Sequence, residues 1–515
     1  MQPCDALSPS PSTRLGGVPA AEIAAVLFSL LWPAMILMGA DEGRGKDQDG
    51  MANKRETVLD RKAHIEAAIT KEVPQVPPLC DGIAGLAGKQ VDIGDGKLYC
   101  EEEGQGIPLV LLNGGPGCTH HVFHPAFSRA KGFAKVIYYD QRGTGRSDTD
   151  GTGEKYTVKQ AVDDLDNLRK ALRVDRWVVL GHSYGGFLAQ CYALEYPERL
   201  LGLILVAAST GARGVETGTR QYEYISKEEM AKVRSIFATK DLPLDVLVYN
   251  AHLNGDWKRQ AYYRPTLDEL ARMARYEWKP APGFREAIGP DMNRIDLTGK
   301  FSDFEIPTLM IEAKWDLTWT ADKPERFHKN HPNARLVVFE QSGHSPFADE
   351  PEKFFTLLRE FAAGAQEGAN APRKRPGARI AWPSPLIRKV DRLPWTGAGK
   401  QAMEVFAEAT KAELADPGTW YKLGMALYDG KNYDEGLEAL RRAEKSAGDD
   451  AFRSFAAVVW QGHILDLLGR REEALDRYKA ASNLRMQSAM RCDQYGIVID
   501  QKWVKERLEK PFQRK

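Results

Sequence analysis

One serine in this sequence lies between glycines, at a point where a strand pattern gives way to a helix pattern. The segment from Val178 to Pro197 reads VVLGHSYGGFLAQCYALEYP, with apolar residues before Gly-His-Ser-Tyr-Gly and helical spacing after it. A sharp strand-to-helix turn of this kind holds a serine hydroxyl above a sheet edge, and the start of the helix favours negative charge there. A chance match is the alternative in a chain with 46 glycines. The flanking patterns argue against chance, so Ser183 is a candidate nucleophile.

Two later predicted strands end in residues that could activate this serine. A serine is a weak nucleophile unless a general base takes its proton and an acid orients that base. Asp316 ends the apolar run PTLMIEAKWD, and His344 follows the next run, in FEQSGHSPF. We expect His344 to carry the proton, and Asp316 to fix the imidazole tautomer and stabilise its charge. The sequence therefore predicts a serine–histidine–aspartate triad.

The loop after an earlier strand, PLVLLNG, is a candidate for the anion site that acyl transfer needs. It reads Asn-Gly-Gly-Pro-Gly from Asn113 to Gly117. Glycines let the backbone approach a substrate closely, and the proline stiffens the turn. We expect the backbone amides of Gly115 and Tyr184 to form the oxyanion hole. A plain structural turn is the alternative for each glycine.

The elements around these residues predict an α/β fold. Short apolar runs alternate with helical patterns over residues 91–363, which is typical of a mostly parallel sheet with helices on both faces. The alternation stops over 211–297, which predicts a helical cap above the carboxyl edge of the sheet, where ligands bind. Thr157 and Gln160 are spaced for a capping box at the start of one helix.

The rest of the chain divides into an N-terminal part and a helical C-terminal part. We interpret 1–50 as an apolar, low-complexity segment, 51–90 as a lead-in, 364–395 as an Ala-, Gly- and Pro-rich linker, and 396–515 as an all-helical domain. Apolar and glycine positions in that domain repeat at an offset of 38 residues, similar to a tetratricopeptide pattern. Helices around 400–414 and 486–510 are expected to flank the repeats, whose concave face could bind a protein partner.

The run from Ile23 to Ala40 contains 18 residues without a charge. It is close to the length that a membrane-spanning helix needs, and it also resembles the apolar region of an export signal. A start at an internal methionine, such as Met35 or Met51, is the third interpretation. The location of the protein therefore stays open between export, membrane anchoring and the cytoplasm.

The composition is that of an ordinary globular protein, with 43% hydrophobic and 28% charged residues. The 71 basic and 71 acidic side chains cancel, so no nucleic-acid partner is expected. Six cysteines in 515 residues do not make a disulfide framework. His120, His121 and His124 follow the oxyanion loop without an acidic partner motif, so we interpret them as pocket-rim residues rather than a metal site. No metal or cofactor is expected.

Four motifs, NGGPG, DQRGTGRSD, GHSYGG and SGHSPFADEP, together resemble the proline iminopeptidase branch of the α/β-hydrolases. The resemblance covers residues 91–363 and implies an α/β-hydrolase fold and cleavage of an N-terminal residue, often proline, from short peptides. It also implies that a cap carboxylate binds the substrate's free amine. Glu277 is the first candidate for that carboxylate, with Glu286 and Glu216 behind it. The segment Asp140–Ser147 is expected to brace the pocket loops without a catalytic role.

Two positions depart from the family pattern. The family usually has histidine where Asn113 precedes Gly-Gly-Pro-Gly, and its Trp-x-x-Trp-Glu cap motif is replaced here by Arg-Tyr-Glu-Trp over 275–278. The substrate therefore stays open between a small peptide and a small-molecule ester or amide. A third hypothesis is an interaction protein whose helical repeats bind a partner and whose hydrolase fold is inert.

Overall fold

The computed structural model describes residues 73–208, 243–251, 266–316, 323–370, 376–392, 403–406, 408–409, 417–447, 451–484, 490–492 and 497–513. The segment 23–40, Glu216 and much of the predicted cap lie outside these ranges. The described chain forms two compact units, one ending at Trp382 and the other beginning at Pro383. This boundary falls within the predicted linker. In the described ranges, none of the helices has the length and apolar composition needed to span a bilayer.

An eight-stranded, mostly parallel sheet is the framework of the first unit, and it confirms the predicted fold class. The strands are β1 Ala87–Asp92, β2 Lys97–Glu103, β3 Ile107–Leu112, β4 Ala134–Tyr139, β5 Trp177–His182, β6 Leu200–Val206, β7 Thr308–Ala313 and β8 Arg335–Phe339. Their spatial order is β1-β2-β4-β3-β5-β6-β7-β8. The pairs β1–β2 and β2–β4 are antiparallel, and all later pairs are parallel.

The central strands are buried on both faces, which is why they read as continuous apolar runs. Their side chains alternate between two cores, so Val179 joins one face while Val178 and Leu180 join the other. The helices of this unit are α1 Val158–Ala171, α2 Tyr184–Glu195, α3 Leu244–Ala251, α4 Leu267–Arg272, α5 Phe284–Arg294, α6 Lys323–Asn330, α7 Pro346–Asp349 and α8 Pro351–Glu367. Helices α1 and α2 contribute to the first core, and α8 contributes to the second.

Helix α1 begins as predicted, but its capping box is incomplete. The Thr157 hydroxyl accepts a hydrogen bond from the Gln160 amide at 3.1 Å, as an N-cap should. The Gln160 side chain does not return to the backbone of the cap. It donates instead to the Asp164 carboxylate at 2.9 Å, because a charged acceptor one turn along the helix makes the stronger bond.

Described parts of the predicted cap are helical and contact the first residues of the described chain. They comprise α3, α4, the π-helical turn Met273–Glu277 and α5. Arg275 donates to the carbonyl of Pro74 at 2.6 Å, and the Tyr276 hydroxyl donates to the carbonyl of Val76 at 2.6 Å. Val73 is buried with side chains of α3 and α4. The lead-in segment is thus attached to the cap.

The second unit is mostly helical. Its elements are α9 Pro385–Arg392, α10 Pro417–Asp429, α11 Tyr433–Ala447, α12 Ala451–Leu467, α13 Arg471–Asn483, β9 Met490–Cys492, β10 Ile497–Ile499 and α14 Gln501–Glu509. The antiparallel pair β9–β10 shows that the predicted helix over 486–510 is wrong in its first half. The run Ile-Val-Ile over 497–499 favours a strand because β-branched side chains restrict χ1 in a helix. The helix begins only after Asp500, whose carboxylate accepts from the Trp503 amide.

The aromatic core under the sheet generates a stability prediction. Phe354 in α8 is fully buried and lies 5.8 Å from Phe127 and 5.9 Å from Phe347, ring centroid to centroid. Phe354→Ala should lower the free energy of unfolding of the first unit by about 3–5 kcal/mol, because it leaves a cavity. The measurement is urea unfolding, monitored by hydrogen exchange of the β5 amides. Leu267→Ala is the control, since Leu267 is 45% exposed. Equal effects would contradict the packing.

Candidate active site

The predicted turn at Ser183 is present between β5 and α2. Ser183 has φ 56° and ψ −120°, a conformation that residues with a side chain rarely adopt. Its amide donates to the carbonyl of Val206 at 2.9 Å, and its carbonyl accepts from the Gly186 amide at 3.0 Å. The surrounding backbone therefore holds the strained residue in place, as is common at functional sites.

Two glycines allow the helix to approach the sheet at this turn. A Cβ placed at Gly181 would lie 2.2 Å from the carbonyl oxygen of Gly185, and one at Gly185 would lie 2.1 Å from that of Leu112. No side chain fits at such distances. The Gly-x-Ser-x-Gly spacing is therefore required by close backbone packing, which supports the non-random interpretation of the motif.

Asp316 and His344 meet beyond the ends of β7 and β8. The Nδ1 atom of His344 lies 2.7 Å from Oδ2 of Asp316. Asp316 is buried, while the His344 side chain is 22% exposed. Burial disfavours the charged imidazole, but the charge and hydrogen bond of Asp316 outweigh it, so the pKa of His344 is raised above its usual value. The Gly343 amide before it donates to the Asp349 carboxylate at 2.6 Å, which holds the loop.

His182, for which no role was predicted from the sequence, is hydrogen-bonded to the loop of His344. Its Nε2 lies 2.7 Å from the backbone carbonyl oxygen of His344, and the two rings are 4.7 Å apart. Because a carbonyl can only accept, this Nε2 carries the proton. Burial lowers the pKa of His182 to about 3, so the ring is neutral. His182 thereby positions the backbone of His344. Its position directly before Ser183 in the motif is the sequence feature that could have indicated this role.

The oxyanion loop lies against the candidate nucleophile. A Cβ placed at Gly114 would lie 3.0 Å from the Cβ of Ser183, and Gly115 has φ 115°. Tyr184 is the first residue of α2, so its amide has no acceptor within the helix. Asn113, where the family usually has histidine, is buried, and its Oδ1 accepts from the Gln141 side chain at 2.5 Å.

The segment Asp140–Ser147 has the contacts expected of a brace between loops. One carboxylate oxygen of Asp140 accepts from the backbone amide of His120 at 2.9 Å, and the other accepts from the amide of Arg146 at 2.9 Å. Arg142 forms a bidentate pair with Asp164 of α1, at 2.7 and 2.8 Å. Both partners of this pair are buried, so it fixes the segment against the helix.

The histidines after the oxyanion loop do not form a pocket rim. His120 and His124 are buried, and Glu101 lies between them, 3.3 Å from His120 Nε2 and 3.0 Å from His124 Nε2. His121 is partly buried, with its Nε2 3.4 Å from Sγ of Cys80. Both the pocket-rim interpretation of His120 and His124 and the expected lack of acidic partners are therefore wrong. Glu101 comes from β2, so no local motif could have shown it. We call these five residues the histidine cluster.

The histidine cluster contains a coupled set of charges. His120 lies with Nδ1 2.7 Å from Oδ1 of Asp140 and with Nε2 facing Glu101. Burial opposes a charged ring, but the Asp140 and Glu101 carboxylates outweigh it and raise the pKa of His120. The pKa of His121 is lowered to about 3 by burial and by the neighbouring His120. His121 is therefore neutral.

Of the three candidate amine anchors, Glu277 lies beside the oxyanion loop. Its backbone carbonyl accepts from the Thr119 amide at 2.8 Å, and the next residue, Trp278, forms an antiparallel bridge with Cys118. The Glu277 side chain is partly buried, and burial raises its pKa to about 7. Glu286 lies in the first turn of α5, and Glu216 lies outside the described residues.

Comparison with known proteins relates this chain to α/β-hydrolases. Residues 107–351 match the family model described as the alpha/beta hydrolase fold. The proline iminopeptidase of Saccharolobus solfataricus is 31% identical over 276 residues, which cover 52% of this chain and 87% of that protein. The proline iminopeptidase of Lactobacillus delbrueckii subsp. bulgaricus is 30% identical over 291 residues, 54% of this chain and 97% of its own. An esterase from Exiguobacterium antarcticum aligns over 54% of this chain and 100% of its own, with 24% identity and a TM-score of 0.44.

The close approach at Gly185 makes a testable prediction about the turn. Gly185→Ala should destabilise the first unit by about 1–3 kcal/mol, because the added methyl meets backbone that cannot move freely. The measurement is urea unfolding with hydrogen exchange in α2. Gly132→Ala is the matched control, since a Cβ there meets nothing within 4 Å. A Gly185→Ala protein as stable as the control would contradict the described packing.

Proposed function

Because the chain belongs to the proline iminopeptidase family of α/β-hydrolases, we propose that it is a serine hydrolase that removes the N-terminal residue, proline above all, from short peptides. One observation carries the proposal. Ser183 follows β5, and the hydrogen-bonded Asp316 and His344 follow β7 and β8. These strands are parallel and belong to one sheet, so their carboxyl ends meet at one edge.

In the proposed mechanism, the Ser183 hydroxyl attacks the substrate carbonyl while Nε2 of His344 takes its proton. Asp316 accepts the hydrogen bond from Nδ1 and stabilises the imidazolium that forms. The amides of Gly115 and Tyr184 donate to the oxyanion of the tetrahedral intermediate. His344 then passes its proton to the leaving amine, which gives the acyl-enzyme. Water, deprotonated by His344, releases the acid and restores Ser183.

Glu277 is the proposed anchor for the substrate's free amine. What supports this is its attachment to the oxyanion loop through the Thr119 amide and the Cys118–Trp278 bridge. A partly buried carboxylate is poorly solvated, so a cationic amine at hydrogen-bond distance would favour its ionised form. An N-blocked substrate has no positive charge and would leave Glu277 without that partner. Selectivity for a free N-terminus follows from this difference.

Steady-state hydrolysis by matched variants tests the proposal. Substrates are prolyl- and alanyl-arylamides, their N-blocked forms and a short-chain aryl ester. Ser183→Ala should lose activity on all of them by on the order of 10⁴-fold or more. Glu277→Gln should lower kcat/KM for free-amine arylamides about 10²–10³-fold and leave ester turnover unchanged, because only the amine needs the carboxylate. Glu286→Gln is the control.

Other results of these assays would identify a different enzyme. Full activity of Ser183→Ala would contradict the nucleophile. Ester turnover alone, indifferent to N-blocking, would identify a carboxylesterase on the same scaffold. Equal losses in Glu277→Gln and Glu286→Gln would contradict the choice of anchor and leave the triad intact.

The raised pKa of His344 predicts the acid limb of the pH profile. Because His344 must be neutral to accept the serine proton, kcat/KM should fall tenfold per pH unit below its pKa, with a midpoint above the ordinary value of about 6.5. The substrate should be an aryl ester without an amine. The limb then reports a group of the enzyme and not titration of the substrate. Asp316→Asn removes the charge that raises the pKa, so the midpoint should fall, with kcat about 10³–10⁴-fold lower. A wild-type midpoint at or below 6.5 would contradict the Asp316–His344 coupling.

We also propose that the second unit is tetratricopeptide-like. What supports this is a repeated contact between paired helices. A Cβ at Gly424 of α10 would lie 2.6 Å from Leu440 of α11, and one at Gly462 of α12 would lie 2.5 Å from Tyr478 of α13. Both members of the contact recur at the offset of 38 residues seen in the sequence. Binding of a protein partner by this unit stays a prediction.

A further inference from the structure

Part of the histidine cluster has the donor set of a metal site. One possible ligand atom from each of Cys80, His120 and His121 lies within 4.8 Å of the other two, and Sγ of Cys80 lies 3.4 Å from Nε2 of His121. In tetrahedral zinc sites, with Zn–S of about 2.3 Å and Zn–N of about 2.0–2.1 Å, sulfur and nitrogen ligands are about 3.6 Å apart. The spacing of these atoms therefore suits one shared ion.

Both rings are oriented as metal-binding histidines usually are. The Nδ1 of His120 lies 2.7 Å from the Asp140 carboxylate, and the Nδ1 of His121 lies 3.0 Å from the Thr119 hydroxyl. These bonds occupy both Nδ1 atoms and leave the Nε2 atoms as possible ligands, and the Nε2 of His121 lies 3.4 Å from Sγ of Cys80. Among the described residues, the buried Nε2 of His120 has no hydrogen bond of acceptable geometry, although Glu101 is 3.3 Å away. An outer carboxylate or hydroxyl on the second ring nitrogen is the arrangement that fixes a metal-bound imidazole.

We propose that Cys80, His120 and His121 bind a thiophilic divalent metal ion, Zn²⁺ in the first place, and leave one coordination position to water or a further ligand. One thiolate with two imidazoles favours zinc over magnesium or calcium, which prefer oxygen ligands. The proposal concerns a site outside the triad and does not depend on the proposed peptidase activity.

The neighbouring group of Glu101, His120 and His124 is the weaker candidate. Its atoms also cluster closely, but both carboxylate oxygens of Glu101 already have hydrogen-bond partners. Oε2 of Glu101 lies 3.0 Å from Nε2 of His124, and Oε1 accepts from the Tyr99 hydroxyl at 2.7 Å. A metal there would have to displace both partners. At the proposed site, a metal ion would take the place of the Cys80–His121 contact, and its ligands would bind in their deprotonated forms.

The proposed ion would cross-link the lead-in segment to the loops of the candidate active site. Cys80 belongs to the turn Leu79–Gly82, whereas His120 and His121 open the turn that follows the oxyanion loop. Thr119, which orients His121, also donates through its hydroxyl to the carbonyl of Tyr276 at 2.7 Å. The ring of Tyr276 stacks on His121 with centroids 5.4 Å apart. The ion would thus stabilise the junction between lead-in, oxyanion loop and cap.

Cobalt substitution of the full chain tests this site. Chelator-treated protein should bind one Co²⁺ per chain, with a thiolate-to-cobalt charge-transfer band and visible bands of four-coordinate intensity, and Zn²⁺ should remove both. Cys80→Ser should abolish the charge-transfer band, and His121→Gln should weaken Co²⁺ binding at least 10-fold. Thr119→Val should weaken it about 10–100-fold through the orientation of His121. Cys191→Ala and His328→Ala, a buried thiol and an exposed histidine, are the controls and should bind as the wild type does.

If the variants fail to fold, the site can still be tested on the unaltered chain. Zn²⁺ should slow alkylation of Cys80 at least tenfold, measured by peptide mass spectrometry, and leave the alkylation rate of Cys191 unchanged. The proposal is overturned if no stoichiometric ion binds, which would leave a charged His120 between two carboxylates as the state of the cluster. It is also overturned if the cobalt spectrum survives in Cys80→Ser or is lost only in Glu101→Gln and His124→Gln.

Discussion

The close packing of α2 against the sheet is the constraint on which the rest of the candidate site depends. Backbone atoms of Gly185 and Leu112 approach so nearly that no Cβ fits between them, and Ser183 is held at φ 56° as a result. Such strain persists only where the surroundings fix the backbone, and the hydrogen bond from the Ser183 amide to Val206 is one such restraint. The sheet therefore sets the direction of the candidate nucleophile before any side chain contributes.

Backbone hydrogen bonds, more than side chains, join the other loops to this edge. The Lys279 amide donates to the carbonyl of Gly117 at 3.2 Å, and the Lys279 carbonyl accepts from the amide of Gly145 at 2.9 Å. The Ala281 amide donates to the carbonyl of Gly143 at 2.7 Å. Residues 279–281 of the predicted cap thus lie between the oxyanion loop and the Asp140–Ser147 segment. Because the contacts are made by the main chain, the position of Glu277 depends little on its own side chain.

Sequence patterns predict those parts of the architecture that depend on the spacing of residues along the chain. The parallel sheet and the turn at Ser183 follow from apolar runs and glycine spacing, and the meeting of Asp316 with His344 follows from strand ends sharing one edge. The histidine cluster could not be predicted, because the pairing of β2 with β4 brings in Glu101 from another strand. The β9–β10 hairpin was missed because a short apolar run fits a buried helix as well as a strand. The role of His182 depends on a carbonyl 162 residues along the chain.

His344 of the predicted triad and His120 of the histidine cluster differ in burial and in the number of nearby carboxylates. His344 is hydrogen-bonded to one carboxylate, that of Asp316, and its side chain is 22% exposed. His120 is fully buried and lies between two carboxylates, which together favour a cation at its position. Burial and the number of neighbouring carboxylates thus give the same residue type two different electrostatic environments.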